Sequence, residues 1–201
     1  LGMGPLERII LVPGFIEPRF TMWPLQRRLK RRCDAVDFFR DRIAFRKLDS
    51  SIRRLTELID TAKTDRSVAL VTHSFGDWVA RAAIANASRP NVGCLVSVAP
   101  VIRAGFVPTG VFLLSGPLIP EIKLMMNPDR AAGNLDLDPE VRRLVIWAKA
   151  DECVRTVAIK DSPNLTIEHF AATHMSVILQ PNVLGRIESF LFDSEPDRPN
   201  S

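Results

Sequence analysis

Short apolar runs alternate along the chain with segments of helical periodicity. Such runs are typical of buried parallel strands, and the intervening spacing is typical of amphipathic helices. The alternation predicts an α/β fold, a three-layer sandwich with a mostly parallel sheet of about six strands and helices on both faces. Strands are predicted at about 8–13, 35–39, 67–72, 92–98, 142–148 and 165–170, and helices at about 21–32, 50–63, 75–88 and 180–192.

One long connection interrupts this alternation. Residues 101–140 combine many prolines with large apolar side chains and separate two predicted strands. A connection of this length is uncommon in a compact domain unless it has a function. It is either a lid or cap over a hydrophobic pocket or an irregular helical insert that extends the core, since both would bury the same residues. We expect residues 1–201 to form a single domain, with a flexible tail at about 193–201.

The composition indicates a globular protein. The chain is 46% hydrophobic and 25% charged, and no apolar run approaches the length of a transmembrane helix. The N-terminus shows no secretory pattern. The three cysteines are widely and irregularly spaced, which fits neither a disulfide framework nor a zinc site. These features together favour a reducing, cytoplasmic location.

Basic residues are concentrated early in the chain, although the net charge is only +4. They are either a patch for anionic partners or the solvated face of a helix and the following loop. The second interpretation is favoured, because no nucleic-acid motif or pattern of stacking aromatics accompanies them. We therefore expect no specific nucleic-acid partner. The sequence leaves the oligomeric state open.

A candidate nucleophile lies where a predicted strand meets a predicted helix. The apolar run from Ser67 ends in the pattern Thr72-x-Ser74-x-Gly76. A serine on such a turn has a strained backbone and needs small neighbours, because the strand and the helix approach closely there. Its hydroxyl becomes a nucleophile only when a base takes its proton and a carboxylate orients that base.

The position of each polar residue relative to the predicted strands narrows the choice of the base and the carboxylate that would act with Ser74. Ligands of open parallel sheets bind beyond the carboxyl ends of the strands, and Ser74 and Asp151 both follow predicted strands. Among the three histidines, His174 lies in the loop after the last strand and is the best candidate for the base. His73 is expected to be structural or pocket-lining, and His169 to be an ordinary strand residue.

Four sequence motifs contain or flank these candidates. They are Ile9-Ile-Leu-Val-Pro-Gly-Phe15, Thr72-His-Ser-Phe-Gly-Asp-Trp-Val-Ala-Arg-Ala82, Ala150-Asp-Glu-Cys-Val154 and Thr173-His-Met-Ser176 followed by a terminal helix. These motifs resemble those of the alpha/beta-hydrolase fold superfamily, and the order Ser74, Asp151, His174 is the order of that superfamily. Two of them depart from the family pattern: Pro13 replaces a histidine in the first, and Thr72 and Asp77 each replace a glycine in the second. Asp77 is placed to pair with Arg81, but its charge could also oppose an oxyanion near the serine.

The resemblance implies a serine hydrolase that is esterase-like or lipase-like and needs no metal or other cofactor. Ser74, Asp151 and His174 would form its catalytic triad, and the backbone N–H groups of Phe15 and Phe75 its oxyanion hole. The expected substrate is a small-molecule carboxylic ester with an apolar acyl group. Its binding residues would be Ile16, Phe20, Trp23, Phe106, Phe112 and Met125.

Two classes of alternative stay open at this stage. An amidase, a thioesterase or an acyltransferase would use the same three residues. A catalytically idle member of the fold would instead be a binding module, since a fold does not imply a function.

Overall fold

A computed structural model describes residues 6–41, 48–65, 67–89, 91–103, 124, 127–135, 140–160 and 162–193. Within these residues, six strands lie close to the positions that the sequence predicts. They are β1 (Arg8–Val12), β2 (Val36–Phe38), β3 (Val68–His73), β4 (Val92–Val98), β5 (Arg142–Ala148) and β6 (Leu165–Phe170).

The six strands form one sheet in the order β2-β1-β3-β4-β5-β6, and every neighbouring pair is parallel. The chain leaves β1 toward one edge of the sheet to form β2, and then returns past β1 to form β3. The crossovers therefore diverge between β1 and β3, and such a switch point is where open α/β sheets bind ligands. The loops after these two strands both reach this place.

In the described part of the chain, five α-helices accompany the strands: α1 (Trp23–Leu29), α2 (Leu48–Asp60), α3 (Gly76–Asn86), the short α4 (Pro128–Ala131) and α5 (Pro181–Phe192). The described residues also include 3-10 helices at Arg19–Met22, before α1, and at Val177–Leu179, before α5. The predicted helix at 21–32 is therefore shorter, because its first turn is 3-10 and its last residues form a turn. The helix predicted at about 50–63 lies slightly earlier in the chain, since α2 already begins at Leu48 and ends at Asp60.

Burial explains why the strands read as continuous apolar runs. β3, β4 and nearly all of β1 and β5 are buried, because helices cover both faces of the central sheet. The edge strand β6 alternates between more and less buried positions. α2 packs against α3, and α1 packs against α5. Right-handed crossovers place these two pairs on opposite faces, which confirms the predicted three-layer α/β sandwich.

The two ends of the 101–140 insert meet at one buried side chain. Arg81 of α3 donates hydrogen bonds to the carbonyl oxygens of Val101, Ala131 and Gly133. Most of the insert lies outside the described residues, so its role as a lid stays a prediction. The same holds for the tail beyond Asp193.

Two further properties concern the whole described chain. Cys33, Cys94 and Cys153 are all free thiols. Among the described residues, no helix combines the length and the apolar character needed to cross a bilayer.

Candidate functional site

Polar side chains converge at the carboxyl edge of the sheet. Ser74 directly follows β3, Asp151 follows β5 and His174 follows β6. The loop that begins at Pro13 follows β1 and reaches the same edge. Because all six strands are parallel, the four loops start from one side of the sheet and bring together residues far apart in sequence.

Ser74 lies on a tight turn between β3 and α3, with φ at 53°. This left-handed conformation is costly for a residue with a Cβ, and such strain is concentrated at functional sites. A Cβ on Gly76 would lie 2.5 Å from the carbonyl oxygens of Val12 and Pro13, so only glycine fits there. A Cβ on Gly14 would lie 2.9 Å from the Cβ of Ser74. The end of β1 is thus packed directly against the serine turn.

A chain of hydrogen bonds joins the three predicted residues. The Oγ of Ser74 is 2.8 Å from Nε2 of His174, and Nδ1 of His174 is 2.8 Å from Oδ2 of Asp151. The other carboxylate oxygen of Asp151 accepts the backbone N–H groups of Cys153 and Val154, both at 2.8 Å. An ionised carboxylate only accepts, so Nδ1 carries the ring proton and Nε2 faces the serine hydroxyl as an acceptor.

The histidine is also held from its backbone. The side chain of His174 is 5% exposed, and the backbone N–H of His174 donates to Oε2 of Glu152 at 3.2 Å. Asp151 is equally enclosed, with a side chain 4% exposed. A buried imidazole whose neighbours are fixed has little freedom to leave the serine, which is the preorganisation that proton transfer requires.

Asp77, one of the residues that depart from the family pattern, is fully buried and makes the predicted pair with Arg81 at 2.8 Å. Arg143 lies 3.9 Å from the same carboxylate oxygen, and Thr72 donates its hydroxyl to the other at 3.3 Å. Burial alone would raise the pKa of Asp77, but the charges of Arg81 and then Arg143 outweigh it and keep that pKa below its usual value. Two guanidinium groups therefore compensate this charge beside the serine turn.

The sequence interpretation missed Glu17, which lies in the loop after β1. Its Oε2 is 2.8 Å from Nδ1 of His73, and the side chain is only 3% exposed. Nε2 of His73 in turn lies 3.0 Å from the carbonyl oxygen of His174. One sequence signal was present: Glu17 is the sole acidic residue between Arg8 and Cys33, and it follows a predicted strand.

The predicted substrate-binding residues fall into two groups. Ile16, Phe20 and Trp23 lie on the surface just beyond β1 and are 59%, 60% and 51% exposed. Phe20 and Trp23 contact each other edge to face, and the 3-10 helix of Phe20 packs against the one that follows His174. Phe106, Phe112 and Met125 lie outside the described residues.

One group of potential metal ligands occurs among the described residues. Ligand atoms of Asp151, Cys153 and His174 lie within 4.8 Å of one another. Burial, together with the negative charges of Glu152 and Asp151, raises the pKa of the Cys153 thiol to about 12. Binding a metal there would require the disfavoured thiolate and would compete with the Asp151–His174 hydrogen bond, so the arrangement suits proton transfer better.

No protein-family model matches the chain, and no curated protein does either. Solved structures do match. A thioesterase from the prodiginine biosynthetic pathway in Streptomyces coelicolor is 16% identical, with a TM-score of 0.61 over 92% of this chain and 90% of that one. A Pyrococcus furiosus esterase is 14% identical, with a TM-score of 0.64 over 94% and 84%.

A phospholipase from Legionella pneumophila is also similar. It is 14% identical, with a TM-score of 0.69 over 94% of this chain and 60% of that one. Identities this low carry information on the fold alone. Together with the parallel six-stranded sheet, these likenesses show that the chain has the alpha/beta-hydrolase fold.

Proposed function

We propose that the protein is a serine hydrolase that cleaves carboxylic esters with an apolar acyl group. The observation that carries the proposal is the continuous hydrogen-bonded chain from Ser74 through His174 to Asp151, with 2.8 Å at each step. A nucleophile, a base and a group that orients the base are the three parts that this chemistry needs.

The geometry supports a two-step acyl transfer. As Oγ of Ser74 attacks the ester carbonyl, its proton passes to Nε2 of His174, and Asp151 stabilises the imidazolium that forms. The C–O bond to the alcohol then breaks, and the same proton moves to the departing oxygen. Water repeats the sequence on the acyl-enzyme, since His174 takes its proton and returns one to Ser74.

Backbone N–H groups are proposed to hold the oxyanion. Phe75 follows the serine and lies at the N-terminus of α3, where N–H groups lack helical partners and the helix dipole favours negative charge. Phe15 follows Gly14, whose Cα region lies against the Ser74 side chain. In an oxyanion hole, each such donor stabilises the transition state by about 3 kcal/mol.

The apolar acyl group is inferred from the side chains beside the serine. Ile16, Phe20 and Trp23 present apolar surface near the switch point, and Met175 and Leu179 are exposed close to His174. Exposed apolar side chains grouped in this way mark binding surfaces. The similar solved structures named as an esterase, a thioesterase and a phospholipase support an ester or thioester bond as the target.

A fluorophosphonate probe tests the nucleophile. An active serine displaces fluoride and keeps the phosphonyl group, so we expect mass spectrometry to locate one adduct on Ser74. Ser74→Ala should give no adduct, whereas Ser97→Ala, which removes a buried serine of β4, should react like the unchanged protein. An unlabelled wild-type protein would support an idle binding module, and an adduct retained in Ser74→Ala would place the nucleophile elsewhere.

A series of nitrophenyl esters of increasing acyl length tests the substrate class. Each methylene that becomes buried should raise kcat/KM by up to about four-fold, since it contributes about 0.8 kcal/mol. Replacing Trp23 by alanine should flatten this dependence while leaving the acetyl ester nearly unaffected. Equal rates along the series, or faster cleavage of the matching amides or thioesters, would contradict the proposed class.

A further inference from the structure

Glu17 is an enclosed carboxylate with three hydrogen-bond donors around it. Oε2 accepts from the backbone N–H of Gly14 and contacts Nδ1 of His73, while Oε1 accepts the hydroxyl of Thr21. Burial alone would raise the pKa of Glu17, but the hydrogen bond and charge of His73, with those of Thr21 and Gly14, keep it below its usual value. The carboxylate is therefore ionised, and both of its oxygens have hydrogen-bond partners.

The partners of His73 define where its protons lie. Its Nε2 is 3.0 Å from the carbonyl oxygen of His174, and a carbonyl can only accept, so Nε2 carries a proton. Its Nδ1 is 2.8 Å from the Glu17 carboxylate, which also accepts, so a second proton lies between those two atoms. His73 and Glu17 together form a neutral pair that contains an imidazolium.

This pair joins the loop after β1 to the loop of His174, and the proposed reaction needs these two loops at fixed positions relative to each other. At one end it holds Gly14, the residue before the Phe15 N–H, in a turn whose Ile16 has φ at 56°. At the other end it holds the backbone carbonyl of His174, whose ring lies 5.0 Å from that of His73. A β-branched residue in the left-handed region is strained and persists only where its surroundings impose it.

We propose that Glu17 and His73 are positioning residues that lock the oxyanion loop to the loop of the catalytic histidine. The inference rests on the proposed serine-hydrolase function. Neither residue contacts the reacting atoms; both act by holding Phe15 N–H and the His174 ring at fixed places relative to Ser74. Misplacing such groups by about 1 Å can cost about 100-fold in rate.

Glutamine cannot replace Glu17 in this role. A glutamine oxygen at the Oε2 position would satisfy Gly14 and His73 but would lack the charge that stabilises a buried imidazolium. A glutamine nitrogen at that position would face the N–H of Gly14, donor against donor. Glu17→Gln should therefore break one link of the lock while preserving the size of the side chain.

The experiment compares Glu17→Gln with Glu57→Gln, a control on the exposed surface of α2. For Glu17→Gln we expect kcat on a nitrophenyl ester to fall about 10- to 100-fold with KM nearly unchanged, because orientation rather than binding is lost. Nitrogen-15 NMR should show both ring nitrogens of His73 protonated in wild type and only one in the variant. Glu57→Gln should match wild type in both measurements.

The outcomes separate this inference from the proposed function. A wild-type protein that hydrolyses no ester would refute the proposed function. The NMR signals of His73 would still show whether the Glu17–His73 pair exists. A folded Glu17→Gln with wild-type kcat, or a wild-type His73 with one unprotonated ring nitrogen, would overturn the inference. If Glu17→Gln does not fold, His73→Gln is compared with His169→Gln on the exposed side of β6. Wild-type kcat in His73→Gln would then overturn the inference.

Discussion

Replacing His174 by alanine is expected to lower kcat about a million-fold, with little change in KM. Without the imidazole, Ser74 has no group to take its proton, and the weakly nucleophilic hydroxyl has to react unassisted. Because the members of the proposed triad would act as a unit, adding Ser74→Ala should cost almost nothing more. The measurement is the steady-state hydrolysis of an activated ester by the single and double variants.

The control for this prediction is His169→Ala, which removes an exposed histidine of β6, the strand that precedes the His174 loop. It should keep wild-type kcat. Two results would contradict the assignment of the base: a loss in His174→Ala of less than about 100-fold, the lower end of what one general base contributes, or an equal loss in His169→Ala. If the loss in the double variant equals the product of the two single losses, the residues do not act together.

Replacing Asp77 by asparagine is expected to destabilise the protein by about 3–5 kcal/mol. Among the described residues, the change leaves Arg81, which is fully buried, and Arg143, which is nearly so, without a negative partner. Such a loss is a large share of the stability of an ordinary domain. Denaturant unfolding measures it as a lower midpoint. Arg81 also holds the two ends of the insert, so we expect early proteolysis within residues 101–140.

The exposed pair Arg53–Glu57 on α2 is a matched control, since it has the same helical spacing as Asp77–Arg81 but lies in solvent. Breaking it with Glu57→Gln should cost less than about 0.5 kcal/mol. Similar losses at the two pairs would refute the role of burial in the effect expected at Asp77.

The same buried pair predicts a dependence of stability on pH. The folded-state pKa of Asp77 lies below its ordinary value of 3.8, so its contribution is complete above that value. The contribution is lost as the pH falls through the lowered pKa of the folded protein. Wild type should therefore lose more stability than Asp77→Asn when the pH is lowered below about 4. Equal acid profiles would contradict this assignment.

The sequence was sufficient for the strands, because burial on both faces makes parallel strands read as apolar runs. Ser74, Asp151 and His174 were predictable for a related reason: each follows a predicted strand, and parallel strands bring their ends to one edge. Their roles in catalysis stay a proposal until the nucleophile is labelled.

The residues that escaped prediction depend on contacts across the fold. The bonds of Glu17 to His73 form only after β1 and β3 pair, and no local pattern marks them. The outcome at Asp77 likewise depended on Arg143, which arrives from β5. Spacing along a helix indicated the bond to Arg81, but it could not indicate the second guanidinium that helps to compensate the charge.

The hydrogen bond between Ser74 and His174 joins residues separated by 100 positions, and the described strands between them pair in parallel rather than as hairpins, which could form early. Contacts between residues so distant along the chain are slow to form, since loop closure costs entropy before those contacts are made. The proposed reaction centre can be complete only after β6 has joined β5. Recovery of the proposed esterase activity during refolding should accordingly lag behind the recovery of helical signal, and would report completion of the sheet edge.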